Sequence, residues 1–280
     1  MAQFAFQQVD VFTAEPLKGN PLAVVIGADG LSDEKMAAFA NWTNLSETTF
    51  LLAPTTAEAD YRVRIFTPGA ELPFAGHPTL GSCHVWLASG GRPRGAEIAQ
   101  ECGAGLVKIR REGARLAFAA PPLRRSGPVE PAVLAQIIQS LRVAPEAIRA
   151  AQWVDNGPGW VAALLATRAE ALALKPDFAA MAGLHLGVVA PWDPAVDGTE
   201  AQFEVRGFAP DIGVPEDPVT GSLNASLAQW LIGAKLAPPN YVASQGAALG
   251  RAGRIHVRQS GPDIWIGGET VTCIEGALTL

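Results

Sequence analysis

Apolar and polar positions divide the chain into many short β-like runs and a few helical ones. Residues 8–13, 22–26, 49–53 and 61–66 are rich in Val, Ile, Phe and Thr and are bounded by Gly, Pro or Asn, the pattern of buried or half-buried strands. Residues 160–165, 186–190, 202–208, 254–258 and 263–267 have the same character. Helices are predicted over 32–42, 131–140 and 145–151. The first is supported by Ser32 as an N-cap ahead of Asp33 and Glu34. Two further stretches, 79–89 and 219–232, contain no Asp, Glu, Lys or Arg. A helix without a charged face is buried on all sides, so each is expected to be wrapped by its own sheet. Small residues cluster near both starts, Gly76, Gly81 and Ser82 in one and Gly221, Ser222 and Ala225 in the other. Small residues let the N–H groups of a helix N-terminus approach an anion.

The chain also echoes itself. Phe66-Thr67-Pro68 with Pro73 returns about half a chain length later as Phe208-Ala209-Pro210 with Pro215. Similar shifts relate Gly19-Asn20-Pro21 to Asn156-Gly157-Pro158, and Phe50-Leu51-Leu52-Ala53-Pro54 to Gly187-Val188-Val189-Ala190-Pro191. The expectation is two related domains, residues 1–120 and 129–280, with the last strand free to return to the first domain. The Pro- and Arg-rich stretch 121–128 is the natural linker. Two glycine-bearing helix starts, one per half, then suggest an anion-binding cleft between domains.

Composition narrows the function classes. Among 280 residues, 49% are hydrophobic, 17% are charged and the net charge is −6, a globular composition. The acidic balance, with a pI near 5.3, argues against nucleic-acid binding. Mean hydropathy is +0.18, yet no run approaches the ~20 apolar residues of a spanning helix. The N-terminus lacks a basic segment followed by a long apolar one, so no signal peptide and no membrane partner are expected, and the location expected is cytoplasmic. The asparagines at 41, 44 and 224 fit a glycosylation pattern that has no meaning in that compartment. Cys83, Cys102 and Cys273 are odd in number, far apart and not at zinc-ligand spacing, so reduced, mostly buried thiols and no metal are expected.

Three segments could carry chemistry. Asn44-Leu45-Ser46-Glu47-Thr48-Thr49-Phe50 places Glu47 between a helix and a strand. Taken alone, Glu47 reads as an ordinary exposed carboxylate. Leu72-Pro73-Phe74-Ala75-Gly76-His77-Pro78-Thr79 places His77 at a helix start, where the dipole favours a neutral imidazole; a structural turn histidine fits equally well. Pro215-Glu216-Asp217-Pro218-Val219-Thr220-Gly221-Ser222 combines acidic residues with a Gly-Ser helix start, and ordinary capping would explain it. Ser222 has no surrounding G-x-S-x-G, so a hydrolase nucleophile is not supported. Ser32-Asp33-Glu34-Lys35 matches S-x-x-K, but no S-D-N or K-T-G follows.

Together these segments resemble the PhzF-like family of phenazine-biosynthesis-type isomerases. The resemblance extends to Val9-Asp10-Val11-Phe12-Thr13 with Gly19-Asn20-Pro21, and to Gln245-Gly246 with Gly250-Arg251, so it spans essentially the whole chain. It implies an α+β, diaminopimelate-epimerase-like fold of two pseudo-symmetric domains, each a β-barrel-like sheet around a central helix. It further implies a cofactor-free homodimer acting on a small carboxylated metabolite in the interdomain cleft. By motif position Glu47 is the general acid/base, with His77 and Asp217 as catalytic companions. Gly76, Gly221, Ser46 and Ser222 are then the substrate-binding residues. Epimerases of the same fold use two thiols at the helix starts; here both starts lack cysteine, and Cys83 lies about two turns beyond Gly76. Leu223-Asn224 departs from the characterised isomerase, which has a smaller residue followed by His, so the cleft lining and the substrate differ. The reading is a proton-moving isomerase. Lyase or hydrolase chemistry on the same residues, and a non-catalytic metabolite-binding protein, are the alternatives.

Overall fold

The structure is a computed structural model and describes residues 2–280. The chain forms two compact units, one running to Ala119 and regaining Gly267–Leu280, the other comprising Ala120–Ile266.

The first unit contains β1 (Gln3–Val11), β2 (Asn20–Ile26), α1 (Asp33–Thr43), β3 (Thr48–Leu52), β4 (Tyr61–Phe66), β5 (Glu71–Leu72), α2 (Gly76–Ala88), β6 (Ile98–Cys102), β7 (Gly105–Glu112) and β8 (Arg115–Ala119). The second contains β9 (Arg125–Pro128), α3 (Pro131–Leu141), β10 (Ala150–Asp155), β11 (Trp160–Leu164), α4 (Arg168–Ala173), β12 (His185–Pro191), β13 (Phe203–Ala209), β14 (Val214–Asp217), α5 (Gly221–Gly233), β15 (Asn240–Gln245) and β16 (Gly253–Ser260). The boundary at Ile266 falls inside β17 (Asp263–Gly268), and β18 (Thr270–Thr279) pairs with β1 of the first unit.

Both units follow one wiring scheme. In the first, β1 and β2 are antiparallel, β2 and β3 parallel, β3 and β4 antiparallel, β4 and β6 parallel, and β6 and β7 antiparallel. The sequence β10, β11, β12, β13, β15, β16 repeats those five pairings in the same order and sense. Each parallel step is a crossover, and the second crossover of each unit carries the central helix. α2 packs against β1, β2, β3, β4 and β8, strands from across the whole sheet, so the sheet curls around it into a barrel-like wall. α5 likewise contacts β10, β11 and β16. This is the α+β architecture of two helix-filled, barrel-like halves.

The uncharged helices are buried as their composition requires. Leu80, Cys83 and Val85 of α2 are fully buried, as are Leu223, Ala225 and Ala228 of α5. Glycine permits the closest approach: a Cβ on Gly81 would lie 2.6 Å from Leu22 and 3.0 Å from Val11. Strand glutamines satisfy the polar groups inside. Gln100 of β6 accepts from the Tyr61 hydroxyl at 2.9 Å and donates to Thr79 of α2 at 3.0 Å. Outside the curled sheets lie second cores. α1 covers Val25, Phe50 and Phe66 with Met36 and Phe39, and α3 covers Val161, Leu186 and Phe208 with Ile137 and Leu141.

Several expectations change. Residues 145–151 are not a helix: Pro145–Ala147 is one 3-10 turn, and Ala150–Asp155 pairs with β9 and β11. The proline-rich stretch is more than a linker, because Arg125–Pro128 forms β9 against β10. Both central helices are offset from their sequence ranges, α2 starting at Gly76 with Pro78 in its first turn, where no intrahelical N–H is needed. All three cysteines are free, but Cys273 is exposed, not buried.

Leu227 of α5 is 1% exposed. Leu227→Asp places an unpaired charge in that interior and should cost about 3–5 kcal/mol in urea unfolding. An unchanged midpoint would contradict the enclosed position of α5.

Candidate active site

Each unit gathers its own candidates beside the N-terminus of its central helix. In the first, Asn44 ends α1 in a left-handed conformation, its N–H bonding to Ala40 O. The chain then turns through Leu45 and Ser46 into β3. Thr43 and Thr48 hydroxyls, 2.9 Å apart, staple this connection on both sides of Glu47. The strand beyond is buried at every position, so Glu47 sits at the rim of a fixed element. His77, in the first turn of α2, presents Nε2 3.5 Å from Glu47 Oε2. The entrance to α2 is anchored by Ala104 N–H donating to Pro73 O at 2.9 Å and by Phe74 against Phe118, ring centroids 5.6 Å apart.

The role of the N-terminal motif follows from this geometry. Asp10 Oδ2 accepts the N–H of Gly19 at 2.9 Å, and a Cβ on Gly19 would collide with Val11 O at 2.1 Å. This tight return places Asn20 opposite Val11 in the β1–β2 ladder. Its Nδ2 lies 3.4 Å from His77 Nδ1. With Asn20 donating, Nδ1 is the acceptor nitrogen, and the neutral imidazole carries its proton on Nε2, facing Glu47. Asn20 and Asp10 had no assigned role in the sequence reading; their only signal was membership in the motif.

Glu47 is electrostatically unusual. Its side chain is 16% exposed, but Oε2 is shielded from solvent. Burial pushes its pKa up to about 7, with the Ser46 hydroxyl beside it acting in the opposite direction. His84, deeper in α2, is a structural residue: it contacts Thr272 at 3.0 Å, and burial lowers its pKa.

In the second unit Asp217 ends β14 and the chain enters α5 through Thr220. Arg206 of β13 pins β14 by donating to both Glu216 oxygens at 2.8 Å, while also donating to Ala171 O and Leu174 O. Thr220 Oγ1 donates to Asp217 Oδ2 at 2.7 Å. Ser222 Oγ accepts the indole N–H of Trp160 at 3.0 Å, and Ser222 O accepts from Asn156 at 2.9 Å. With Trp160 as donor, the Ser222 hydroxyl keeps its own proton to give. Neither α2 nor α5 has a hydrogen bond from the side chain of its N-cap residue. The structure thus groups Ser46, Glu47, Gly76 and His77 in one unit and Asp217, Gly221 and Ser222 in the other. Among the described residues no three His, Cys, Asp or Glu side chains gather as metal ligands would.

Two helix-filled, barrel-like halves, each with polar side chains beside the start of its central helix, define an α+β class of fold. Residues 9–276 match the family model described as phenazine biosynthesis-like protein. The chain belongs to that family. It is 36% identical to antisense-enhancing sequence 1 of Schizosaccharomyces pombe, with 99% of each chain covered. It is 34% identical to the trans-2,3-dihydro-3-hydroxyanthranilate isomerase of Pseudomonas aeruginosa, covering 95% of this chain and 92% of that one. The crystal structure of a PhzF family protein from Enterococcus faecalis superposes with a TM-score of 0.83 at 25% identity, covering 100% of both chains. Family and relatives make the chain an enzyme of the isomerase class.

Because Glu47 ionises less readily in the fold than in the unfolded chain, its neutral form stabilises the protein below pH 4.5. That contribution disappears as pH rises through about 7. Glu47→Gln should therefore melt with the parent near pH 4.5 and above it at pH 8, by up to about 3 kcal/mol. A difference that does not vary with pH in thermal unfolding would show that Glu47 titrates as an ordinary carboxyl.

Proposed function

We propose that the protein moves a proton between carbons of a small carboxylated substrate without a cofactor, with Glu47 as the group that takes and returns it. The observation that carries this reading is a carboxyl raised to about 7 by burial, 3.5 Å from a histidine nitrogen. A base whose pKa lies near the working pH combines availability with driving force. An ordinary carboxylate would be too weak a base to take a proton from carbon.

In this reading the ionised Glu47 removes the proton and, now neutral, delivers it to a second carbon. His77 faces Glu47 through Nε2 and supports each charge state in turn, with Asn20 fixing the imidazole's orientation. Asp217 is the acid/base companion from the second unit. The substrate carboxylate bonds to helix-start N–H groups, which the Gly76 and Gly221 termini offer. Ser46 in the first unit and Ser222 in the second are the hydroxyl-bearing binding residues of this reading. A homodimer is the expected assembly. Since one relative is named for an isomerase of trans-2,3-dihydro-3-hydroxyanthranilate, that compound is the first substrate to try here, within a panel of cyclic and unsaturated carboxylates.

The test is deuterium incorporation from D2O at substrate carbon, followed by mass spectrometry. Glu47→Gln keeps the shape of the side chain but cannot accept the proton. Exchange should fall about 100- to 10,000-fold, while calorimetric binding of the same carboxylate persists. Near-parental exchange in Glu47→Gln would overturn the assignment.

A further inference from the structure

Behind Asp217 lies a chain of buried polar side chains whose hydrogen-bond directions are all determined. Gln245 of β15 is 1% exposed and Asn224 of α5 is 1% exposed. Gln245 Oε1 lies 3.0 Å from Thr220 N and 2.8 Å from Asn224 Nδ2. Gln245 Nε2 lies 3.1 Å from Asp217 O and 2.9 Å from Thr220 Oγ1. Thr220 Oγ1 lies 2.7 Å from Asp217 Oδ2. Asn224 Nδ2 is also 2.9 Å from Thr220 O.

Three backbone groups set the polarity of this network. The Thr220 N–H can only donate, so the Gln245 atom facing it is the oxygen. The Asp217 carbonyl can only accept, so the other end of that amide is the NH2. The Thr220 carbonyl requires the NH2 of Asn224, which then also donates to Gln245 Oε1. The Thr220 hydroxyl thus receives a hydrogen from Gln245 Nε2 and must send its own elsewhere, and Asp217 Oδ2 is the acceptor in reach. A proton on Oδ2 would strand the hydroxyl hydrogen in a position that is 6% exposed.

We infer that Gln245 and Thr220 are positioning residues that hold Asp217 Oδ2 permanently as an acceptor, so that Asp217 exchanges protons through Oδ1 alone. Its catalytic consequence rests on Asp217 belonging to the acid/base set proposed above; the wiring does not. Two further features fit. Thr220 stands at the N-cap of α5 yet makes no cap bond to its own helix, the commonest use of a threonine there; the hydroxyl is turned to Asp217 instead. Gly207, opposite Asp217 in the β13–β14 ladder, leaves the space the network occupies, since its Cβ would lie 2.8 Å from Thr220 Oγ1. Gln100 of β6 in the first unit also reaches its own central helix, by donating to Thr79 while accepting from Tyr61.

The experiment has two arms. In the first, neutron diffraction from deuterium-exchanged crystals of the unaltered protein at pH 6 and pH 8 locates the deuterons. The expected result is a deuteron on Thr220 Oγ1 aimed at Asp217 Oδ2, and none on Oδ2 at either pH. A deuteron on Oδ2, or a Thr220 hydroxyl pointing away, overturns the inference. In the second, the carboxyl of Asp217 is titrated by carbon-13 NMR, its signal assigned with Asp217→Asn. Thr220→Val should raise the midpoint by at least about one unit, since the ionised form loses a hydrogen bond. Thr220→Ser should keep the parental value. Arg206, Glu216, Arg251 and Arg254, the charged groups on the neighbouring strands and turn, are the same in all of these proteins and cancel from the comparison. A merely structural threonine would alter melting temperature without separating Val from Ser in the titration, and equal midpoints overturn the inference. If Thr220→Val does not fold, the neutron arm decides. Neither arm uses turnover, so failure of the Glu47 reading would appear separately, as exchange that survives Glu47→Gln.

Discussion

A helix enclosed by sheet on every side must settle all its polar groups within the protein. That constraint organises both units. It removes charge from α2 and α5, demands a glycine where α2 meets β2, and assigns glutamines on the adjoining strands to the hydroxyls and amides of the helices. It also makes the helix N-terminus the one end where unmet N–H groups can serve a ligand, since a cap side chain there would cover them. At Ala75 and Thr220, the N-cap positions of the two enclosed helices, no side chain caps its own helix.

The two units use the same scaffold for unequal purposes. In the first, the carboxyl comes from the connection before β3, and burial raises its pKa to about 7. In the second, the carboxyl comes from the strand just before the helix, and its Oδ2 accepts from the Thr220 hydroxyl. Burial without a cation favours the neutral acid, whereas donated hydrogen bonds favour the anion.

Much of this was legible in the chain. The uncharged stretches announced the central helices, and Tyr61–Phe66 appeared as a strand with the bounds it has, because alternation and β-branched residues agree there. Gly105–Glu112 escaped notice: its KIRRE end is largely polar, and pairing on both sides makes it a strand. Ala-rich 145–151 suggested a helix by local propensity, but two neighbouring strands recruited its second half. At the site, Glu47, His77, Asp217 and Ser222 are candidates named through motif order. The roles of Asn20, Thr220 and Gln245 were not, because each depends on a partner brought near by folding. Asn20 and His77 come from different elements, β2 and α2, and nothing in either local sequence specifies the meeting.

The return of the last strand to the first unit has a consequence for biosynthesis. β1 is made well before its antiparallel partner β18, with most of the described chain translated between them. At roughly 5–20 residues per second, β1 waits on the order of ten to fifty seconds for that partner. The second unit, contiguous from Ala120 to Ile266, has its whole sequence available before then. The first unit is thus completed after the second, and until β18 emerges one side of β1 is an unpaired strand edge able to recruit other chains.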